Sequence, residues 1–298
     1  MDAFCYLGPI LCRRSGSKWS ALQVSLSVRT IFIGSLAISD VVVSLTSLPV
    51  TAVTIFTRDW VFPPVFCKFI GVFQGGSIFV SSFTFTAVAV DRLLLILFPH
   101  RKILTFERTF FIVVSIWTIG YAMSLPVGIF SVTVTYFPYC GTFCEESWPD
   151  STTDGESRME RIYGISVLTL QFGMPVIICS LCYWKISRVI SRQIEKRKEQ
   201  QFLLKESERR LQDRRTRSNR MMVCMVLSFV LAWLPLNLIN LSRDFYGVSS
   251  LFSIMFALCH VIAMTSAVWN PVIYTWFNPQ LRSTKTQHNI ALQQRTYT

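Results

Sequence analysis

Long stretches without a single charge constrain this chain more than any other feature of it. Residues 69–90, 109–138, 162–184, 221–242 and 245–281 contain no Asp, Glu, Lys or Arg, and 30–57 contains only Asp40. A helix needs about 20 predominantly apolar residues to cross a hydrocarbon layer roughly 30 Å thick, so each stretch can cross once. A soluble domain cannot hide six such segments, and the composition agrees, with 51% hydrophobic and 15% charged residues. The formal net charge of +12 therefore decorates a membrane protein and does not mark a nucleic-acid binder. Continuous runs also exclude a β-barrel, whose strands alternate apolar and polar residues over segments of about ten. The expected fold is an all-α membrane protein, a transmembrane helical bundle with helices near 30–57, 67–98, 109–138, 162–190, 215–243 and 249–276. No internal repeat stands out among them.

Loop charge gives the orientation, because short cytoplasmic loops are enriched in Lys and Arg. The segment 185–220 holds 13 basic and 5 acidic residues, whereas 139–160 holds one basic residue, Arg158, and six acidic ones. The first is placed in the cytoplasm and the second outside. The connection 91–108, with Arg92, Arg101, Lys102 and Arg108 against Asp91 and Glu107, alternates correctly onto the cytoplasmic side. Counting back puts the start of the first helix inside, next to Arg13, Arg14, Lys18 and Arg29, so both termini are expected in the cytoplasm. Residues 1–28 form an atypical N-terminal segment: Met1 to Cys12 is too short for a crossing, contains Pro9 and lacks the basic start of a secretory signal. Residues 277–298 are expected as a short cytoplasmic tail that begins as a surface helix. The basic segment 185–220 reads as two membrane helices extended into the cytoplasm, facing anionic membrane lipid or an acidic partner. Runs such as Arg214-Arg215-Thr216-Arg217 have a plainer reading as solvated helix faces.

The nine cysteines show no clustered metal-ligand spacing. Cys179, Cys182, Cys224 and Cys259 lie in apolar runs and read as packing residues. Cys67, Cys140 and Cys144 fall on the outer side, where oxidation is permitted, and a bridge from Cys67 to either Cys140 or Cys144 is expected. Among the polar residues inside helices, an intramembrane carboxylate such as Asp40 is costly enough to count as a functional candidate, its alternative being a structural acid bonded to neighbouring helices. Asp91 and Arg92 sit at the cytoplasmic end of their helix, where interfacial anchoring would also explain them. Gln74, Gln171, Asn240 and His260 occupy the outer halves of four different helices, and a bundle can converge such residues on one extracellular cavity. No acid, base and nucleophile stand at a spacing that suggests an enzyme.

The ordered set of motifs resembles the rhodopsin-like G-protein-coupled receptors. It consists of Leu36-Ala37-Ile38-Ser39-Asp40, Trp60 before Cys67, Asp91-Arg92-Leu93 followed by Pro99, lone Trp117, Pro175 with Tyr183, Phe229 with Trp233-Leu234-Pro235, and Asn270-Pro271-Val272-Ile273-Tyr274. The resemblance covers about residues 29–282 and implies a bundle of the seven-helix receptor type. Within the family, Cys144-Glu145-Glu146-Ser147-Trp148-Pro149, Leu170-Gln171-Phe172 and Arg217-Ser218-Asn219-Arg220-Met221 look like the neuropeptide Y receptors and their invertebrate relatives for neuropeptide F. That likeness implies an amidated peptide ligand ending in Arg-Phe or Arg-Tyr amide. Asp244 matches the residue that pairs with the ligand arginine, while Gln74, Gln171, Asn240 and His260 match the lining for the amidated end. The alternatives for that acid are a local pair with Arg243 and a solvated position in the loop. Asp40, Ser81, Ser266 and Asn270 match a buried sodium site, and sodium at Asp40 is the one ion implied. Phe229 and Trp233 match the pivot of a moving helix, and Tyr274 closes the same activation network. Asp91, Arg92 and Tyr183 match the residues that engage a heterotrimeric G protein, and the likeness favours the inhibitory class.

The departures are specific. The family has seven helices and six are counted here, the first with its Gly-Asn pair being the one without a match, so the chain as written is expected to reach the cell surface poorly. Leu93 replaces the usual Tyr or His. Arg215, and no acid, stands where some relatives carry the partner of the arginine matching Arg92, which leaves Asp91 as its local partner. The tail after Arg282 has no cysteine for palmitoylation, and the one Asn-x-Ser/Thr triplet, Asn240-Leu241-Ser242, lies in a helix. A six-helix transporter or channel fits the helix count but lacks inverted repeats. A non-signalling truncated receptor product fits both the count and the motifs.

Overall fold

The computed structural model describes residues 28–98, 103–136, 141–152, 157–199, 206–247 and 251–277. In chain order these form α1 (Val28–Thr57), α2 (Pro64–Leu97), α3 (Phe106–Phe130), β1 (Ser131–Tyr136), β2 (Gly141–Glu146), α4 (Arg158–Leu168), a π-helical turn (Thr169–Gly173), α5 (Met174–Glu199), α6 (Glu206–Tyr246), α7 (Phe252–Met264) and α8 (Ser266–Phe277). Helix α4, the π turn and α5 run on as one crossing, and α7 with α8 makes another. Among the described residues six helices are therefore long and apolar enough to cross a membrane.

One boundary differs in kind from the expected helix over 109–138. Helix α3 stops at Phe130, and residues 131–136 leave it as β1, pairing antiparallel with β2 from Ser131 opposite Glu146 to Tyr136 opposite Gly141. Apolarity hid this change, because Ser-Val-Thr-Val-Thr-Tyr is as uncharged as the helix before it. Its β-branched residues crowd a helical turn and fit a pleated ribbon, so the backbone switches there. The bundle is thus mostly helical with one hairpin on its outer face. The remaining starts follow capping chemistry: Pro64 opens α2 where its missing N–H costs nothing, Thr105 caps α3, and Ser157 Oγ accepts from Glu160 N at 3.0 Å to open α4. The N-terminal segment, the tail beyond Phe277 and its surface helix lie outside the described residues.

Two kinds of contact hold the helices together. Between α2 and α3 the seam is built from small residues, Gly71, Gly75 and Gly76 facing Gly120, Ser124 and Gly128, which lets the two backbones approach closely where no hydrophobic effect drives association. A Cβ on Gly128 would lie 2.8 Å from the Lys68 carbonyl oxygen, so this position admits only glycine. Deeper in the bundle, Phe229 of α6 packs against Phe172 of the π turn at 5.8 Å and Phe85 of α2 at 5.4 Å. Phe32, Leu36, Met221, Met225 and Trp233 complete the same buried cluster.

Candidate functional site

Proline chemistry shapes the middle of the bundle. Pro175 has no N–H to offer the Gln171 carbonyl four residues earlier. The Ser82 hydroxyl of α2 donates to it instead. The π turn widens the helix at this point and turns Gln171 and Phe172 inward, both buried. Gln171 Nε2 donates to the Gly75 carbonyl at 3.3 Å, while its Oε1 is buried with no partner.

Below that level, four of the expected network residues form two short bonds. Asn270 Nδ2 donates to Asp40 Oδ2 at 2.8 Å, joining α8 to α1, and Trp233 Nε1 donates to Ser266 Oγ at 2.8 Å, joining α6 to α8. Ser81 instead shares a 2.9 Å bond with Ser39, and Trp117 Nε1 donates to Ser35 at 3.0 Å. One carboxylate with several hydroxyls is a hard-oxygen set of the type that suits a small cation, and only Oδ2 of Asp40 is bonded to Asn270. Tyr274 packs beside this group against the buried cluster. At the cytoplasmic end Arg92 pairs with Asp91 at 2.9 Å, with the Asp91 side chain 3% exposed. A charge so enclosed needs its partner, and Arg92 supplies it from the next position in the chain. The Tyr183 hydroxyl is buried without a hydrogen bond.

The outer end is assembled on the hairpin. Cys67 at the start of α2 is bonded to Cys144 of β2, with Cα atoms 5.6 Å apart. That decides the pairing left open by the sequence; Cys140 lies outside the described residues. Asp59 and Trp60 lock the α1–α2 turn onto the same strand: Thr142 N donates to Asp59 Oδ1 at 2.6 Å, and Trp60 N donates to the Thr142 carbonyl at 2.7 Å. Past the hairpin, Trp148 packs at a tilt between Phe130 and Tyr163, with ring centroids 4.5 and 5.3 Å away, and donates from Nε1 to Glu146 at 3.1 Å. Burial pushes the Glu146 carboxyl above the ordinary glutamate range, outweighing the Arg243 charge and the Trp148 bond. Asp150 goes the other way, held below its usual range by the Ser157 hydroxyl at 2.5 Å and by Met159 N at 2.9 Å.

Against this wall stands the outer end of α6. Arg243 donates to Asp244 Oδ1 from Nε at 3.1 Å and from a terminal nitrogen at 2.9 Å, and that nitrogen also reaches Glu160 at 3.2 Å. Arg161 donates from Nε to the Asp244 carbonyl at 2.8 Å and lies over the Phe245 ring. Glu146, Glu160 and Asp244 thus surround Arg243, a cluster that sequence reading reached only through Asp244 and its neighbour. Glu160 counted there as one more loop acid. The signal available was its position in the first turn of a capped helix.

The four polar residues expected to converge on one cavity are distributed over several places. Gln74 accepts from Ser47 at 2.7 Å, and Gln171 binds the neighbouring residue Gly75. His260 lines a separate cavity of about 400 Å³ between α1 and α7–α8, with Leu48, Thr51, Ile55 and Met264. Asn240 lies one turn inward from Asp244 on α6. Gln171 Oε1, Asn240 Oδ1 and His260 Nε2 nevertheless share one property: each is a buried polar atom without a partner. Orphans of this kind are uncommon in folded proteins and ask for an explanation.

Comparison with known proteins supplies a frame for these groups. Residues 22–274 match the family described as 7 transmembrane receptor (rhodopsin family). The chain is 58% identical over 265 residues to Neuropeptide receptor 3 of Caenorhabditis elegans, covering 89% of this chain and 70% of that protein. It is 32% identical over 304 residues to Neuropeptide receptor npr-1 of the same organism, covering 86% and 64%. It is 31% identical over 270 residues to the RYamide receptor of Drosophila melanogaster, covering 86% and 55%. The chain therefore spans less than two thirds of the length of the second and third of these relatives.

Proposed function

The chain belongs to the rhodopsin family of seven-transmembrane receptors, a multi-pass protein of the plasma membrane, and from that premise we propose that it binds an amidated neuropeptide ending in Arg-Phe or Arg-Tyr amide. One observation carries the ligand class: three carboxylates, Glu146, Glu160 and Asp244, are gathered at the outer end around Arg243. A cationic peptide end is the complement of that group. Asp244 pairs with the ligand arginine, and Asn240, one turn further in, and Gln171 offer their unpartnered side-chain oxygens to its amide, whereas Gln74 is taken by Ser47 and His260 lines the separate cavity. The names of similar receptors for neuropeptides and RYamide point the same way.

Binding outside is read out inside by a shift between two arrangements of the bundle, and each ligand can move that balance only by its differential affinity for the two. The Trp233–Ser266 bond and the Phe229 stack lie between the two ends and are the contacts a movement of α6 must remake. Arg92 leaves Asp91 when the inner ends part and engages a heterotrimeric G protein of the inhibitory class, with Tyr183 beside it. Asp40, Ser81, Ser266 and Asn270 would hold a sodium ion as an allosteric ligand.

A double-mutant cycle tests the ligand assignment. Truncating one member of a desolvated ion pair costs about 2 to 5 kcal/mol, so Asp244→Ala should weaken an Arg-Phe-amide peptide at least about tenfold. The loss should shrink towards nothing for a peptide whose arginine is already alanine. Simple additivity of the two losses would remove Asp244 from contact with the ligand arginine.

A further inference from the structure

Arg243 already makes the contact that a ligand arginine would need. Two of its nitrogens lie 3.1 and 2.9 Å from the same oxygen, Asp244 Oδ1. The Asp244 side chain is only 7% exposed, so an incoming guanidinium and Arg243 cannot both use that oxygen from the solvent side. Its other oxygen points towards α4, where a Cβ on Gly164 would come within 3.0 Å of it. Arg243 also has a second acceptor in place, because its terminal nitrogen is 3.2 Å from Glu160 Oε1. Three acidic side chains face two guanidinium groups here, those of Arg161 and Arg243. An arriving cation therefore finds more acids than bases and need not displace one.

We propose that Arg243 is a built-in competitor for the ligand's cationic group, holding Asp244 until the peptide arrives and then passing to Glu160. The proposal rests on the assignment of Asp244 to the ligand arginine and adds the device that sets its selectivity. A competitor lowers apparent affinity by the fraction of sites it leaves open. A planar guanidinium makes paired bonds to a carboxylate, whereas an ammonium acts as a point charge. Displacing Arg243 therefore favours a peptide arginine over a peptide lysine. Glu160 is the positioning residue, since it decides how readily Arg243 lets go.

The test measures affinity of the full chain in cell membranes for two peptides, one ending in Arg-Phe-amide and one in citrulline-Phe-amide, whose side chain has nearly the same shape and no charge. Partly exposed ion pairs contribute up to about 1 kcal/mol, so Arg243→Gln should raise affinity for the arginine peptide about two- to fivefold. It should leave the citrulline peptide unchanged. Glu160→Gln should lower affinity for the arginine peptide by a similar factor, because Arg243 then has only Asp244 to hold. Arg243→Lys keeps the brace and the charge and should fall between Arg243→Gln and the parent. A merely structural Arg243 would move both peptides together, and that result, or a loss of arginine-peptide affinity in Arg243→Gln, overturns the proposal. Asp244→Ala separates the two levels. If it spares the arginine peptide, the ligand assignment itself falls and the competitor with it; if it weakens that peptide while Arg243→Gln gives no gain, the competitor alone falls.

Discussion

The α2–α3 seam and the α6–α8 side of the bundle are built on opposite principles. Glycines and Ser124 bring α2 and α3 so close that a single added carbon meets backbone, and the disulfide and hairpin fasten the outer end of the same pair. Across the bundle, α6 carries Pro235, α8 carries Pro271, and the last crossing is interrupted at Thr265. Beside apolar packing of Ile273 and Tyr274 against the buried cluster, the side-chain hydrogen bond from Trp233 to Ser266 ties α6 to α8 there. Helix α3 carries Pro126 as well, so what separates the two sides is the packing: backbone in direct contact has one arrangement, whereas helices joined through replaceable hydrogen bonds can have two. One side of the molecule thus serves as the frame against which the other moves.

The largest effect that would sharpen this contrast is expected from Gly128→Leu. Overpacking a close interface costs about 1 to 3 kcal/mol even where side chains can yield, and here the obstacle is the Lys68 carbonyl. Folded receptor at the cell surface, measured by antibody labelling of an outer tag, should fall at least about tenfold. Normal surface density would mean that the seam is as pliable as the opposite side. Arg92→Ala, at the inner end of α2 where the frame faces the moving helices, should abolish agonist-driven nucleotide exchange while peptide affinity stays within about threefold. Exchange that persists, or binding lost along with it, would leave Arg92 a structural anchor and no contact for the G protein.

The contrast also explains what the sequence made legible. Six crossings follow from charge-free runs, which act through the membrane and need no tertiary contact. Asp40 stands out as a carboxylate in an apolar run, whereas Asn270, Trp233 and Ser266 are reached only through the resemblance to the receptor family. The end of α3 was illegible by the same logic, since Ser131–Tyr136 carries no charge to mark the change from helix to strand. The inward turn of Gln171 depends on a π turn before Pro175 and on a hydroxyl from another helix, and neither is a local property. Arg243 and Glu160 lie 83 positions apart in sequence, and only the fold makes them partners.

Ser266→Ala asks how much of the movement depends on one bond. It strands the Trp233 N–H in a buried site, at a cost of about 1 to 3 kcal/mol. If that cost falls mainly on the arrangement seen here, basal nucleotide exchange should rise several-fold with little loss of peptide binding. If surface density falls and basal exchange does not change, the bond is part of the frame and the two sides are more alike than their backbones suggest.

The smallest effect is expected where the frame meets the outer site, at Glu146. Its carboxyl is raised above the ordinary glutamate value because burial disfavours the charge, and the nearby Arg243 and the Trp148 bond offset this only in part. A raised folded value means that the folded protein binds its proton more tightly than the unfolded chain does. The associated stability is fully present below about pH 4.3, the unperturbed glutamate value, and is lost as pH rises through the folded value. Acidification from pH 7.5 to 5 should therefore raise the inactivation midpoint of the solubilised receptor, to the extent that the folded value reaches into that window. Glutamine keeps an oxygen for Trp148 Nε1 and has no charge to bury, so Glu146→Gln should flatten the pH response by up to about 2 °C. Because Glu146 is one of the three acids around Arg243 but sits on the strand clamped by Cys67, the change should lower peptide affinity at pH 7.5 by no more than about threefold. A larger loss of affinity would mean that the hairpin takes part in the movement, and the division between a fixed frame and a moving side would have to be redrawn through the outer end of α2.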